Sequence, residues 1–170
     1  MDLKATIRDI PDFPKKGILF RDITTLLADK NAFRTAIDQL ASHYKPKGIE
    51  QIVAIESRGF IFGSALAHQL GTGFVPVRKP GKLPSVTERY EYQLEYGSDA
   101  LEIHRDALRS GQKVLIVDDL LATGGTAAAA AHLVEKLDAR VSGIAFLIEL
   151  TFLNGRDRLK GYDIHTLIQY

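Results

Sequence analysis

The run from Val114 to Thr126 limits what this chain can fold into more than any other stretch. Four successive buried-type residues, Val114 to Val117, lead into two adjacent carboxylates, Asp118 and Asp119. A glycine-containing turn then opens a helix. A strand that is apolar throughout is buried on both faces, which places it inside a parallel sheet covered by other elements. In open sheets of that kind the carboxyl ends of the strands form the ligand edge. The turn after the acids presents backbone N–H groups at a helix N-terminus, where the partial positive charge favours a phosphate. Gly124 and Gly125 let the backbone come close to such an anion, and Thr123 and Thr126 add hydroxyl donors. The Gly-Lys-Ser/Thr ending of a Walker loop is missing, which removes the main support for an ATPase. A lone Asp-Gly pair reads as a cap and a turn. Two acids, two threonines and two glycines at one strand-to-helix junction read as a ligand loop.

The rest of the chain repeats the same rhythm. Asp29 or Asn31 caps a helix with an apolar stripe at Phe33, Ile37, Leu40, Ala41 and Tyr44, a 3.6-residue period. Lys45 to Gly48 breaks it, and Gln51 to Ile55 reads as a strand. A turn at Glu56 to Gly59 follows, then a helix to about Leu70, stopped by Gly71, and a strand at Phe74 to Val77. Later come a strand at Lys113 to Val117, a helix from about Thr126 to Leu137 and a strand at Val141 to Leu150. Apolar strands alternating with helices predict an α/β domain with a central, mostly parallel sheet and helices on both faces. Residues 78–100 depart from the pattern: Pro80, Gly81, Pro84 and Gly97 occur among many charges, and Tyr90, Tyr92, Leu94 and Tyr96 alternate. So long an excursion inside a compact domain predicts a functional lid hairpin, open or disordered without ligand.

With 170 residues the chain suffices for one domain with a full core. The absence of cysteine excludes disulfides, thiolate catalysis and Cys-ligated zinc, and the five histidines show no metal-ligand spacing. A net charge of +1 gives no reason to expect nucleic acid or an anionic membrane as partner. The N-terminus lacks the apolar core of a signal peptide, and no apolar run approaches the ~20 residues of a membrane helix. The expectation is a soluble, cytoplasmic protein.

The segment from Val114 to Thr126 resembles the phosphoribosyl pyrophosphate signature of the type I phosphoribosyltransferases. The resemblance implies that Asp118 and Asp119 hold the ribose hydroxyls while Ala122, Thr123, Gly124, Gly125 and Thr126 wrap the 5′-phosphate. Carboxylates accept hydrogen bonds from a diol, and N–H groups bind an anion, so the roles fit the residues. Glu56 to Phe60 resembles the family's pyrophosphate loop, with Ser57 and Arg58 as ligands and a non-proline cis peptide. Val77 to Pro84 resembles the basic start of the family's lid, bringing Arg78, Lys79 and Lys82 to pyrophosphate. Those three act from their own subunit or from a dimer partner. The chain's last residues, Leu167 to Tyr170, match the family's ending.

Three features resemble the family's adenine branch. Members that use hypoxanthine or guanine carry an aspartate where this chain has Ala122, and an alanine cannot move a proton. Gln93 to Gly97 is similar to the branch's Leu-Glu-Tyr-Gly lid segment, which implies Glu95 as general acid and base and Tyr96 as its cap. A carboxyl there can protonate N7 as adenine departs, or take the N9-side proton through the ring's tautomers, and lid closure raises its pKa for that work. Phe13 to Asp22 resembles the N-terminal hood, whose backbone near Leu19, Phe20 and Arg21 reads the adenine edge. The implied layout is a single domain over 1–170, with a hood at 1–28, a lid at 78–100 and the phosphoribosyl pyrophosphate loop at 114–126. The implied substrates and products are adenine, phosphoribosyl pyrophosphate, AMP and pyrophosphate, and the implied assembly is a homodimer. Magnesium is the expected cofactor, held mainly by substrate oxygens, with Asp118 and Asp119 reaching it through water.

Two rivals share the fold. A xanthine-type enzyme also has a small residue at Ala122, but Glu95 within Leu-Glu-Tyr-Gly argues against it. A ligand-sensing regulator that binds DNA needs a winged-helix extension, and about 20 residues before the first match leave no room for one.

Overall fold

The computed structural model describes residues 1–93 and 96–170. The chain first makes a short antiparallel pair, β1 (Arg8–Ile10) with β2 (Phe20–Asp22). Helix α1 (Thr24–Ala28) leads to α2 (Lys30–Tyr44). Asp29 is the cap of α2: its carboxylate accepts the N–H groups of Asn31 and Ala32, two of the donors a helix start leaves free. The buried stripe of α2 is Ala32, Ala36, Ile37, Leu40, Ala41 and Tyr44. Phe33, expected within it, is half-buried and lies edge-on to Phe62 at 6.0 Å.

Next come β3 (Gln51–Ile55), α3 (Arg58–Leu70) and β4 (Gly73–Val77), then the antiparallel hairpin of β5 (Thr87–Gln93) and β6 (Ser98–His104). The chain closes with β7 (Lys113–Leu121), α4 (Gly125–Lys136), β8 (Arg140–Glu149) and β9 (Ile164–Gln169). The central sheet has the order β4-β3-β7-β8-β9, with every neighbouring pair parallel. Its apolar residues alternate between two layers, as a period of two requires. Ile52, Ala54, Leu115, Val117, Ala145 and Leu147 pack with α2 and α3. Val53, Ile55, Val114, Ile116, Ile144 and Phe146 pack with α4 and with Leu101 and Ile103 of β6. Full burial of one such side chain contributes roughly 1.5–3 kcal/mol, so both layers stabilise the sheet that carries the acids. Among the described residues no helix is long and apolar enough to cross a membrane.

Two expectations need correction. β7 does not stop at Val117 but runs to Leu121, because β8 continues beside it, pairing Asp118 with Phe146, Leu120 with Ile148 and Leu121 with Glu149. The acids therefore stand on a strand, not on the loop after it. The lid region is also better anchored than its composition implied. β6 reaches His104, with Leu101 and Ile103 fully buried, and Tyr90 and Tyr92 pack on the α4 layer. Elsewhere in the lid Val86 is 60% exposed.

Candidate active site

The strands deliver their C-terminal ends to one edge, where Arg58, Asp118, Asp119 and the turn from Ala122 to Thr126 meet. Asp119 is buried, and its backbone N–H donates to Asp118 Oδ1 at 2.8 Å. Burial, and then the neighbouring charge of Asp119, push the Asp118 carboxyl well above the usual carboxylate range. Arg58, at the start of α3, donates from Nε to Asp119 Oδ2 at 2.5 Å. Burial disfavours the charged guanidinium, but this bond and both aspartate charges outweigh it and raise the Arg58 pKa. Helix α3 comes this near only because residue 59 is glycine: a Cβ there would lie 2.9 Å from Asp118 Oδ1 and 3.0 Å from the Val117 carbonyl. The Glu56–Ser57 peptide before α3 is cis, as the loop resemblance implied, and Ser57 occupies the N-cap position of the helix.

Two recesses open beside the acids. The first, about 70 Å³, is lined by Asp118, Leu120 and the whole turn from Ala122 to Thr126. Gly124 has φ +85°, and a Cβ on it would lie 2.3 Å from the Gly155 carbonyl, so the turn requires glycine for its conformation and for its neighbour. The second recess, about 140 Å³, is mostly apolar: Ile18 to Arg21 form one wall, and Asp119, Leu120, Ile148 and Leu150 the other. Phe20 is braced edge-on by Phe13 at 5.1 Å. The Arg21 side chain is occupied elsewhere, bonded to Asp9 at 2.6 Å and lying over the Tyr170 ring, so backbone is what this residue can offer a ligand. Asp118 and Asp119, neighbours in sequence, thus belong to different recesses that share Leu120 as a wall. A wider groove of about 570 Å³, lined in part by His43 and His165, contains none of the predicted residues.

The basic residues gather around Glu56, which sits in the loop motif but to which the sequence alone assigned no role. Its carboxylate accepts Lys82 Nζ at 2.8 Å, the Lys79 N–H, and Arg78 Nη2 at 3.3 Å. Burial alone would raise the Glu56 carboxyl; these three donors outweigh it and hold the pKa below the ordinary value. Lys79 Nζ is paired with Asp99 of β6, and Arg78 Nε is buried without a hydrogen-bond partner among the described residues. Tyr92, also unforeseen, brings its hydroxyl 3.4 Å from both Asp99 Oδ2 and the Thr126 hydroxyl, linking the hairpin to the phosphate-type turn. Tyr96 is 88% exposed. Glu95, the predicted acid and base, lies outside the described residues.

A parallel sheet with a phosphate-type turn after its paired acids, and a separate apolar recess under an N-terminal hood, defines a phosphoribosyl-transfer scaffold. The family model for the phosphoribosyl transferase domain matches residues 22–164. The adenine phosphoribosyltransferase of Thermotoga neapolitana is 63% identical over 170 residues, covering all of both chains. The crystal structure of adenine phosphoribosyltransferase from Thermoanaerobacter pseudethanolicus superimposes with a TM-score of 0.96 at 60% identity, over 99% of this chain and 98% of that one. The Saccharomyces cerevisiae enzyme, complexed with an imino-altritol bisphosphate and adenine, gives 0.93 at 46% identity, over 97% and 96%. The chain belongs to the adenine phosphoribosyltransferase family.

Proposed function

We propose that this chain converts adenine and phosphoribosyl pyrophosphate into AMP and pyrophosphate, a purine-salvage reaction. The observation that carries the reading is the division of Asp118 and Asp119 between a small donor-rich recess and an apolar one. A ribose that joins a 5′-phosphate to a purine has to pass between those recesses, directly over the two carboxylates. In the reaction a ring nitrogen of adenine attacks C1′, the C1′–oxygen bond to pyrophosphate breaks, and its electron pair leaves with pyrophosphate. The ring proton goes to Glu95. Charge develops on the sugar as an oxocarbenium-like state, which the aspartates stabilise from below. Arg58, Arg78, Lys79 and Lys82 each face a carboxylate of their own chain. Pyrophosphate binding on this reading is an exchange of anions, with Glu56, Asp99 and Asp119 giving up cations to the substrate. Ser57 adds a hydroxyl at the same place.

Magnesium fits the donor set as a substrate-borne ion. Asp119 is already engaged by Arg58, and Mg²⁺ binds through one or two carboxylates plus phosphate oxygens and water. When bound it neutralises the leaving pyrophosphate; Asp118 and Asp119 would reach it through water. The reading includes a cytoplasmic homodimer, resting on the family resemblance, with no nucleic acid or membrane partner, in keeping with the near-neutral charge.

The test is direct. Purified protein, phosphoribosyl pyrophosphate and magnesium are expected to yield AMP from adenine, with xanthine, hypoxanthine and guanine left unused. Chelating the metal is expected to stop turnover. Nucleotide formed from xanthine in preference to adenine would replace this reading by its xanthine-type rival. The lid assignment has its own check: limited proteolysis between Lys79 and Gly97 is expected to slow when phosphoribosyl pyrophosphate and magnesium are added. Equal cleavage with and without them would remove the lid from the mechanism.

A further inference from the structure

We propose that Arg158 is a further binding residue for the 5′-phosphate, an exposed guanidinium held beside the first turn of α4; the proposal rests on the phosphoribosyl reading above. The turn itself is short of positive charge. From Asp118 to Ala127 it contains two acids and no lysine or arginine. A phosphate monoester carries about −1.5 to −2 at neutral pH, and a helix N-terminus offers the equivalent of only about half a positive charge. A cation from elsewhere in the chain is needed to balance the site.

The backbone of the segment Gly155–Leu159 lies directly against the turn. A Cβ on Gly155 would be 2.4 Å from the Ala122 carbonyl, and one on Gly124 would be 2.3 Å from the Gly155 carbonyl. Neither contact leaves room for adjustment. Arg156 then fixes the segment by donating from Nε and Nη2 to the buried carboxylate of Glu149 at 2.7 and 2.8 Å. That bidentate pair consumes the charge of Arg156 and sets the course of the chain through Asp157 to Arg158. Arg158 is thereby held against the turn. Its Cβ lies 3.3 Å from where a Gly124 side chain would begin, and its Nη1 lies 3.1 Å from where a Gly125 side chain would begin. Its stem therefore runs along the turn, and its head reaches the first residue of α4. The Tyr92 ring stands on the same side of Gly125, 3.8 Å from that position.

Charge pairing separates Arg158 from the site's other cations. Arg58, Arg78, Lys79 and Lys82 all have carboxylate partners. Among the described residues no carboxylate pairs with Arg158, which remains exposed at this position. A guanidinium beside N–H donors suits a phosphate, because its planar fork matches two phosphate oxygens and the bonds are charge-assisted.

Calorimetric titration of the full chain with AMP and with adenosine tests the proposal, since the two ligands differ only in the phosphate. Arg158→Gln is expected to weaken AMP about tenfold and adenosine less than about twofold, with Arg158→Lys between wild type and Gln. In steady state the KM for phosphoribosyl pyrophosphate is expected to rise about tenfold while kcat stays within about twofold. Raising the salt concentration is expected to narrow the AMP difference, because an exposed charge is screened. Equal weakening of AMP and adenosine would mean a merely structural role, and unchanged AMP affinity would make Arg158 a bystander; either overturns the proposal alone. A wild-type chain that fails to bind AMP would overturn this proposal and the phosphoribosyl reading together.

Discussion

Glu95→Gln is expected to lower the turnover number by about 100- to 10,000-fold, roughly 3 to 5 kcal/mol of barrier, with adenine affinity changed far less. The placement of acids around the base site leads to this expectation. Ala122 holds the position from which hypoxanthine- and guanine-using relatives are expected to move a proton, and it has no titratable group. In the apolar recess the one carboxylate among the described lining residues is Asp119, and Arg58 already engages it. On the proposed reading that carboxylate lies beneath the ribose, where it accepts hydrogen bonds from the diol, and is not the group that faces the base. The family resemblance assigns the proton work to the lid, where Glu95 stands within Leu-Glu-Tyr-Gly. Gln keeps the size and one accepting oxygen but cannot transfer a proton. Glu91→Gln is the matched control: the Glu91 side chain is 62% exposed and, among the described residues, pairs with Arg89. Glu102 is unsuitable for that purpose, since it is buried, accepts the Gly81 N–H at 3.4 Å, and its backbone bonds to Arg78. A Glu95→Gln enzyme keeping more than about a tenth of wild-type turnover, with chemistry shown to limit the rate, would place the acid elsewhere.

Much of this arrangement was legible in the sequence because local signals agreed with the global fold. The Asp29 cap, the stripe on α2, the β-branched run at Gln51 to Ile55 and the glycine turn before α4 each report physics settled within a few residues. The end of β7 was not legible. Whether Asp118 to Leu121 stays in the strand is decided by its pairing with Phe146 to Glu149, residues far along the chain. The anchoring of β6 escaped for the same reason: Leu101 and Ile103 are apolar residues next to a charged segment until α4 lies over them. Within the site, the acids and the phosphate turn were found because they share one segment. Glu56, Tyr92 and Arg158 act through neighbours 23, 34 and 33 positions away in Lys79, Thr126 and Gly125, and no local pattern encodes such meetings.

The acidic pair gives the second large effect. Asp118→Asn and Asp119→Asn are each expected to reduce kcat/KM by about 100-fold, and the double variant by more than about 1,000-fold, while all three stay folded. Removing one preorganised charge from a developing transition state typically costs 10²–10³. The two acids should not contribute additively, because each carries part of the field that acts on the same sugar. Stability separates this role from a structural one. The Asp118 carboxyl is raised by burial and then by the Asp119 charge, so ionising it costs the folded state. Its contribution is full below the ordinary value of 3.8 and is lost as pH rises through the raised value. Asn carries no charge to desolvate, so the Tm of Asp118→Asn is expected to equal or exceed wild type at neutral pH, with the advantage gone near pH 4. Asp119→Asn is expected to have a modest thermal effect, because the cation it uncouples, Arg58, has a side chain 48% exposed and can be solvated in place. Thermal melts across pH alongside kcat/KM make the comparison. If Asp118→Asn instead lowers the neutral-pH Tm by more than about 5 °C, the acid holds the strand end together, and its lost activity says nothing about ribose.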